Sequence, residues 1–300
     1  MQSLKKPFTA ISVIAALVVL AGCSAADTDG APADGVTVAG GIVVERDESL
    51  ELPDGWEAGD VVIGATTPLY KPTNFKDDSG KVAGSHMDIF AATAARLGLE
   101  GRIEAVGSGG ADIAGVKAGR YDMTTSSGSF AARQAEMDLV EYYRGGIGLL
   151  VQAGNPHGVE AVSDTCGLRV AVTPGVMQEK LAAEASDACV AAGKPAIEIL
   201  RISDSLSTAL ASDRVDVAYE TAANAQFLAG EQPDRFEIGG EPEWLAPNAF
   251  GFAKDNTGLR DAWRAALQSL VDDGTYQQIL DFWNQSLAAV PSITINESTF

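Results

Sequence analysis

Three serines and an arginine crowd one short stretch of this 300-residue chain, Ser126-Ser127-Gly128-Ser129-Phe130-Ala131-Ala132-Arg133. Hydroxyls donate to carboxylate oxygens, and a guanidinium grips a carboxylate with two parallel bonds. Small residues beside them leave backbone N–H groups open at a helix start, a position that favours anions. The chemistry is that of a receptor for a planar, singly charged group. The competing reading is a serine-rich turn that caps a helix, with Arg133 in solvent.

Elements that would position these groups can be read on either side. Residues 121–125 form a strand-like run and a helical pattern starts near 131, so Ser126 falls at the carboxyl end of a strand, where open parallel sheets bind ligands. Upstream, a strand begins at Val61, and a helix fits 86–97 with Met87, Phe90, Ala94 and Leu97 on one face and Gly98 as its stop. Strand 102–106 and a short helix near 111–118 complete an open α/β lobe. A second series follows: strands at 169–173, 197–202 and 215–219, helices at 177–192, 205–212 and 221–229, and an extended piece at 236–239. Two amphipathic helices end the pattern, carrying Leu259, Trp263, Leu267 and Leu270, then Tyr276, Ile279, Leu280 and Trp283, and such stripes read as core. About 225 residues fit two lobes better than one core. The expected division is 61–147 with 254–288 for the first lobe and 154–247 for the second, with extended crossings at 148–153 and 248–253. Such a body opens and closes on a ligand.

The amino terminus has another task. Lys5 and Lys6 precede an apolar run from Phe8 to Ala21 that is short for a permanent membrane span and ends at Leu20-Ala21-Gly22-Cys23. Residues 1–22 read as an export signal, and small residues before Cys23 resemble the lipobox in which the cysteine is acylated. Residues 23–60, rich in Ala, Asp, Gly and Pro, read as a flexible tether. The net charge is −20, and removing residues 1–22, with two lysines and no acid, leaves −22. That balance argues against nucleic acid or anionic lipid as partner. Cys166 and Cys189 remain, in an exported segment, and one disulfide is expected, two free thiols being the alternative. His86 and His157 show no metal-ligand spacing, so neither metal nor cofactor is expected.

The order of motifs resembles the extracellular solute-binding proteins (family 3 type) of polar amino-acid ABC transporters, in their lipoprotein form. The likeness runs from Val61 to Asn284 and is carried by Tyr70, Pro72 and Phe75, then GKVAGSHMDIF, AGRYDMTTSSGSFAARQAEMDLVEYY, CGLRVAVTPGVMQE, ALASDRVDVAYE and DDGTYQQILDFW. It implies an α/β, two-lobed, type II periplasmic-binding-protein-like fold with two hinge crossings. It implies a monomer on the outer face of the membrane, lipid-anchored, that passes a small carboxylated solute to a permease. By the same likeness Tyr70 and Phe75 pack on the ligand, and Ser126, Ser127, Ser129 and Arg133 hold its α-carboxylate, although the run to Arg133 is one residue short. Gly175 and Val176 stand where the family places a hydroxyl, leaving backbone N–H groups at that helix start. Glu220 or Thr221 takes the ligand amine, depending on a one-residue gap. His86 replaces an acid, and reads as a helix-start residue facing solvent in preference to a ligand contact. The rival reading is a secreted dehydratase-like enzyme on the same fold, acting on a prephenate-like carboxylate with Glu220 as its general acid.

Overall fold

The chain taken as tether up to residue 60 already carries ordered structure at Val36. The computed structural model describes residues 35–67, 71–107 and 110–299; the export signal and Cys23 lie outside these residues. Strands β1 (Val36–Thr37) and β2 (Val43–Val44) pair antiparallel. Val38 and Val44 are buried, and Ile42, Leu50, Leu52 and Trp56 pack against the same cluster. The tether reading is therefore corrected from residue 35 onward, because these apolar side chains, though sparse, all find one cover.

The elements then follow in chain order. They are β3 (Val61–Thr66), β4 (Phe75–Lys76), β5 (Val82–Ala83), α1 (Ser85–Leu97), β6 (Glu100–Ala105), α2 (Ala111–Lys117), β7 (Met123–Gly128), α3 (Ala131–Gln134) and β8 (Asp138–Tyr143). Next come β9 (Gly146–Gln152), β10 (Arg169–Val172), α4 (Met177–Ala191), β11 (Glu198–Arg201), α5 (Leu206–Ala211), β12 (Val217–Thr221), α6 (Ala222–Glu231), β13 (Phe236–Ile238) and β14 (Glu243–Trp244). The chain closes with β15 (Asn248–Phe252), α7 (Thr257–Asp272), α8 (Thr275–Phe282) and β16 (Thr294–Ile295).

Two sheets organise these elements. The first has the order β16-β8-β15-β7-β3-β6 and the second β11-β10-β12-β9-β13, with β14 also paired to β9. On the first sheet α1, α7 and α8 cover one face, where Phe90, Phe250, Trp263, Leu267, Tyr276 and Leu280 join one core. A smaller cluster of Val116, Met137, Leu139 and Ala249 lies elsewhere in the same lobe. The second sheet is sandwiched: Ala182 and Cys189 of α4 belong to one cluster, Leu206, Leu210 and Ala225 of α5 and α6 to another. Strands buried on both faces read as nearly continuous apolar runs, as β9 and β15 do.

That same property misplaces the crossings. Residues 148–153 and 248–253 lie mostly within β9 and β15, interior strands of the two sheets. The chain instead leaves β8 and enters β9 through Arg144 and Gly145, and returns from β14 to β15 through residues 245–247. The two passages run side by side, with the Leu245 N–H donating to the Gly145 carbonyl at 2.8 Å. A Cβ at Gly145 would stand 2.5 Å from the Ala246 carbonyl oxygen, so glycine is what this approach admits.

Beyond residue 288, the expected end of the first lobe, β16 adds an edge to the first sheet, with Thr294 opposite Glu141. Among the described residues no helix is long and apolar enough to cross a membrane.

Cys166 and Cys189 are joined, with Cα atoms 5.6 Å apart and a sequence separation of 23. The bridge ties the start of the second lobe to the last turns of α4. A Cys166→Ser/Cys189→Ser double variant is expected to lose about 3 kcal/mol of second-lobe stability on the chain-entropy estimate for a loop of this size. Urea unfolding followed by circular dichroism measures this, and an unchanged midpoint would remove the bridge as a stabiliser.

Candidate ligand-binding site

Between the sheets, beside the two passages, lies a cavity of about 250 Å³. Its first-lobe wall is built from Thr73, Asn74, His86, Ser126 and Asn248, and Thr221 and Ala223 face them from the second lobe. Gly84 brings the first three together. Its φ of 128° is one that side-chain-bearing residues rarely adopt, and a Cβ there would sit 2.3 Å from the Thr73 carbonyl oxygen. The N–H groups of Ser85 and His86 can thus bond to the carbonyls of Pro72 and Thr73, at 2.9 and 3.1 Å. The Asn74 amide donates to Thr67 O at 2.9 Å and to Thr66 Oγ1 at 3.3 Å, and Thr73 Oγ1 donates to Asn74 Oδ1 at 3.0 Å.

The serine-rich stretch does not form the open helix start expected of it. It continues β7, where Ser127 and Gly128 pair with Ala249 and Asn248, and the short α3 begins only at Ala131. Thr124 pairs with Gly251, so three steps along β7 oppose two along β15, which is a β-bulge. The extra residue places Thr124 and Ser127 on one face, with their hydroxyls 2.8 Å apart and Thr124 Oγ1 accepting from Gly251 N–H. Ser126 turns to the cavity, its Oγ 2.9 Å from His86 Nδ1. Ser129 is fully buried and donates to Glu141 Oε1 at 2.6 Å. Glu141 also accepts from Thr294 Oγ1 and from the N–H groups of Glu297 and Ser298, so its carboxylate fastens the C-terminal segment behind the serine strand. Of the three serines Ser126 alone stands on the cavity wall; the hydroxyls of Ser127 and Ser129 are committed within the first lobe.

Arg133 lies outside this wall. Its guanidinium rests 4.8 Å over the ring of Phe130 and makes no ion pair among the described residues. Gln134, next to it, donates to Ser129 Oγ and to the Ser298 carbonyl, which holds α3 in place.

His86 corrects its reading as a solvent-facing residue. It is 1% exposed, its ring edge-on to Tyr142 and Tyr143 with centroids 5.4 and 4.8 Å away. Burial without a charged partner pushes its pKa down to about 3, so the imidazole is neutral at physiological pH. Its Nε2 is buried without a hydrogen-bond partner among the described residues. Phe75 also departs from expectation: it packs edge-on to Trp283 at 6.0 Å beneath Lys71 Nζ, and the cavity wall does not include it. Tyr70 lies outside the described residues.

On the second lobe Thr221 caps α6, its Oγ1 accepting from Asn224 N–H at 3.2 Å. Glu220, one residue earlier, is turned onto the Asn224 amide at 2.9 Å, and burial raises its pKa while that bond opposes the rise. Gly175 and Val176 are exposed at the start of α4, and the Gly175 N–H is taken by Glu179 Oε2 at 2.7 Å. The open N–H at that helix start is therefore occupied from within, by a carboxylate that Arg201 also holds. Thr73, Asn74 and Asn248 were not anticipated; they reach the wall through Gly84 and through the strand after the second passage.

Two sheets with helices on their faces, joined by paired passages at the floor of a polar cleft, define a two-lobed α/β binding protein. The chain belongs to the bacterial extracellular solute-binding proteins, family 3, whose family model matches residues 62–286. The arginine-binding protein ArgT of Corynebacterium glutamicum is 27% identical over 296 residues, which cover 96% of this chain and 94% of that one. The histidine-binding periplasmic protein of Escherichia coli is 26% identical over 229 residues, 71% of this chain and 84% of that one. Among solved structures, the second substrate-binding domain of Lactococcus lactis GlnP in its open conformation shares the fold at a TM-score of 0.66 and 17% identity, covering 76% of this chain and 97% of that domain.

Proposed function

We propose that this protein captures an amino acid or a related small carboxylated solute outside the cell and delivers it to an ABC-transporter permease, held at the membrane by lipid on Cys23 and acting as a monomer. The observation that carries the reading is the cavity itself, where the end of β7 and the start of α6 present Ser126 and Thr221 to one another across the cleft. The relatives named for arginine and histidine binding support the ligand class. Arg133, which pairs with no carboxylate among the described residues, takes the ligand's carboxylate outside the cavity wall; Glu220, also off that wall and next to Thr221, takes a protonated amine.

The dehydratase-like alternative needs a general acid in the cleft. The relatives named as binding proteins favour capture over this reading, and Glu220, its candidate general acid, is turned onto the Asn224 amide. A thermal-shift screen of amino acids and amine-free carboxylates, followed by calorimetry, tests the reading. A ligand at a hundredfold excess over Kd stabilises the bound form by about 2.7 kcal/mol. No shift from any of these compounds would overturn it. The anchor is tested separately: Cys23→Ser is expected to move the protein from washed membranes to the medium, and continued membrane fractionation would exclude lipidation at this residue.

A further inference from the structure

The cavity between the sheets has polar walls and no formal charge among the described residues. Ser126 and Thr221 present hydroxyls, Asn248 presents a carboxamide, and the one imidazole is that of His86. The Thr221 oxygen accepts the Asn224 N–H, which leaves its own O–H to donate. Asn248 offers a donor and an acceptor together. Arg133 and Glu220, the charged groups assigned to the two ends of a zwitterion, both stand off this wall.

We propose that the part of the ligand entering this cavity is an uncharged hydrogen-bonding group, a carboxamide or a hydroxyl, and that His86 sets this preference by keeping the first-lobe wall neutral. This rests on the amino-acid reading above and narrows it. A guanidinium or ammonium pushed into the cavity would be desolvated with no carboxylate facing it, and a buried unpaired charge is disfavoured far more strongly than a neutral amide. An amide or hydroxyl matches walls that both donate and accept. His86 reinforces the choice. Enclosed by Tyr142 and Tyr143, it holds Ser126 Oγ at 2.9 Å and contributes no negative charge that could attract a cation. The preference differs from the cationic ligand in the name of the arginine-binding relative, which shares about a quarter of its residues with this chain.

Calorimetry of the wild-type protein with glutamine, asparagine, threonine, arginine, lysine and glutamate tests the inference without any variant. The expected result is that a neutral polar amino acid binds at least tenfold more tightly than arginine, lysine or glutamate. Equal or tighter binding of a charged side chain would overturn the inference while the amino-acid reading stands. Binding of none of the six, with a thermal shift from another amino acid or an amine-free carboxylate, would overturn the inference alone, and no shift from any compound of the screen would overturn both. His86→Glu places a carboxylate on the wall and is expected to shift the arginine-to-glutamine affinity ratio at least tenfold toward arginine. His86→Gln, neutral and of similar reach, should leave the ratio within threefold of wild type. An unchanged ratio in a folded His86→Glu protein would remove His86 as the determinant.

Discussion

Arg133→Ala is expected to weaken capture of a carboxylate ligand by about 2–5 kcal/mol, a loss of roughly thirtyfold or more, because a carboxylate enclosed between lobes would be left without its charged partner. The guanidinium is available for this role: it lies over Phe130 and pairs with no acid among the described residues. The fold should survive, since α3 is held by Gln134 and not by the arginine. Calorimetry with unchanged thermal unfolding of the unliganded variant is the measurement. Binding within threefold of wild type would place the anion site elsewhere. At the other end of the ligand, Glu220→Gln should cost a zwitterion at least tenfold, about 1.4 kcal/mol, and an amine-free carboxylate little. Equal effects on the two compounds would separate Glu220 from the amine and leave Thr221 as the residue that meets it.

Trp263→Ala is expected to destabilise the first lobe by about 3–5 kcal/mol, the usual cost of truncating a buried tryptophan. Trp263 is fully buried in α7, with ring centroids 5.2 Å from Phe90 and 5.5 Å from Phe250, so its loss opens a hole between α1, α7 and the sheet. Trp263→Phe should cost distinctly less. The indole N–H has no hydrogen-bond partner among the described residues, and removing a buried unpaired donor offsets part of the lost packing. Thermal unfolding by circular dichroism compares the two. Equal losses would mean that a phenyl ring does not recover the packing against Phe90 and Phe250.

The architecture was legible because it is written in local patterns. Helical stripes at Leu259, Trp263 and Leu267, β-branched runs and the pair Cys166 and Cys189 each carry their meaning within a few residues or through export chemistry. What escaped depends on partners far along the chain. The fate of Ser129 is decided by Glu141, and Glu141 in turn is satisfied by Thr294, 153 residues away. The bulge that sends Ser126 to the cavity and Ser127 away from it is a relation between β7 and β15, invisible in either strand alone. His86 reads as a surface residue in the sequence because its neighbours Tyr142 and Tyr143 arrive from β8, much later in the chain. The crossings were misplaced since apolar interior strands and extended linkers share one pattern, whereas the true passage is marked by Gly145.

The two lobes are also unequal in how the chain assembles them. The second sheet draws all its strands from one continuous segment, Gly146 to Trp244, while the first needs β15 to lie between β7 and β8, with Gly251 opposite Thr124 across 127 residues. Loop closure over that distance must precede the contacts that reward it. The second lobe is therefore an insertion that can reach its native topology while the first is still waiting for its central strand and for α7 and α8. In pulse-labelled hydrogen exchange during refolding, amides of β9, β10 and β12 should gain protection before those of β7 and β15, so that the half of the cleft bearing Thr221 exists before the half bearing Ser126.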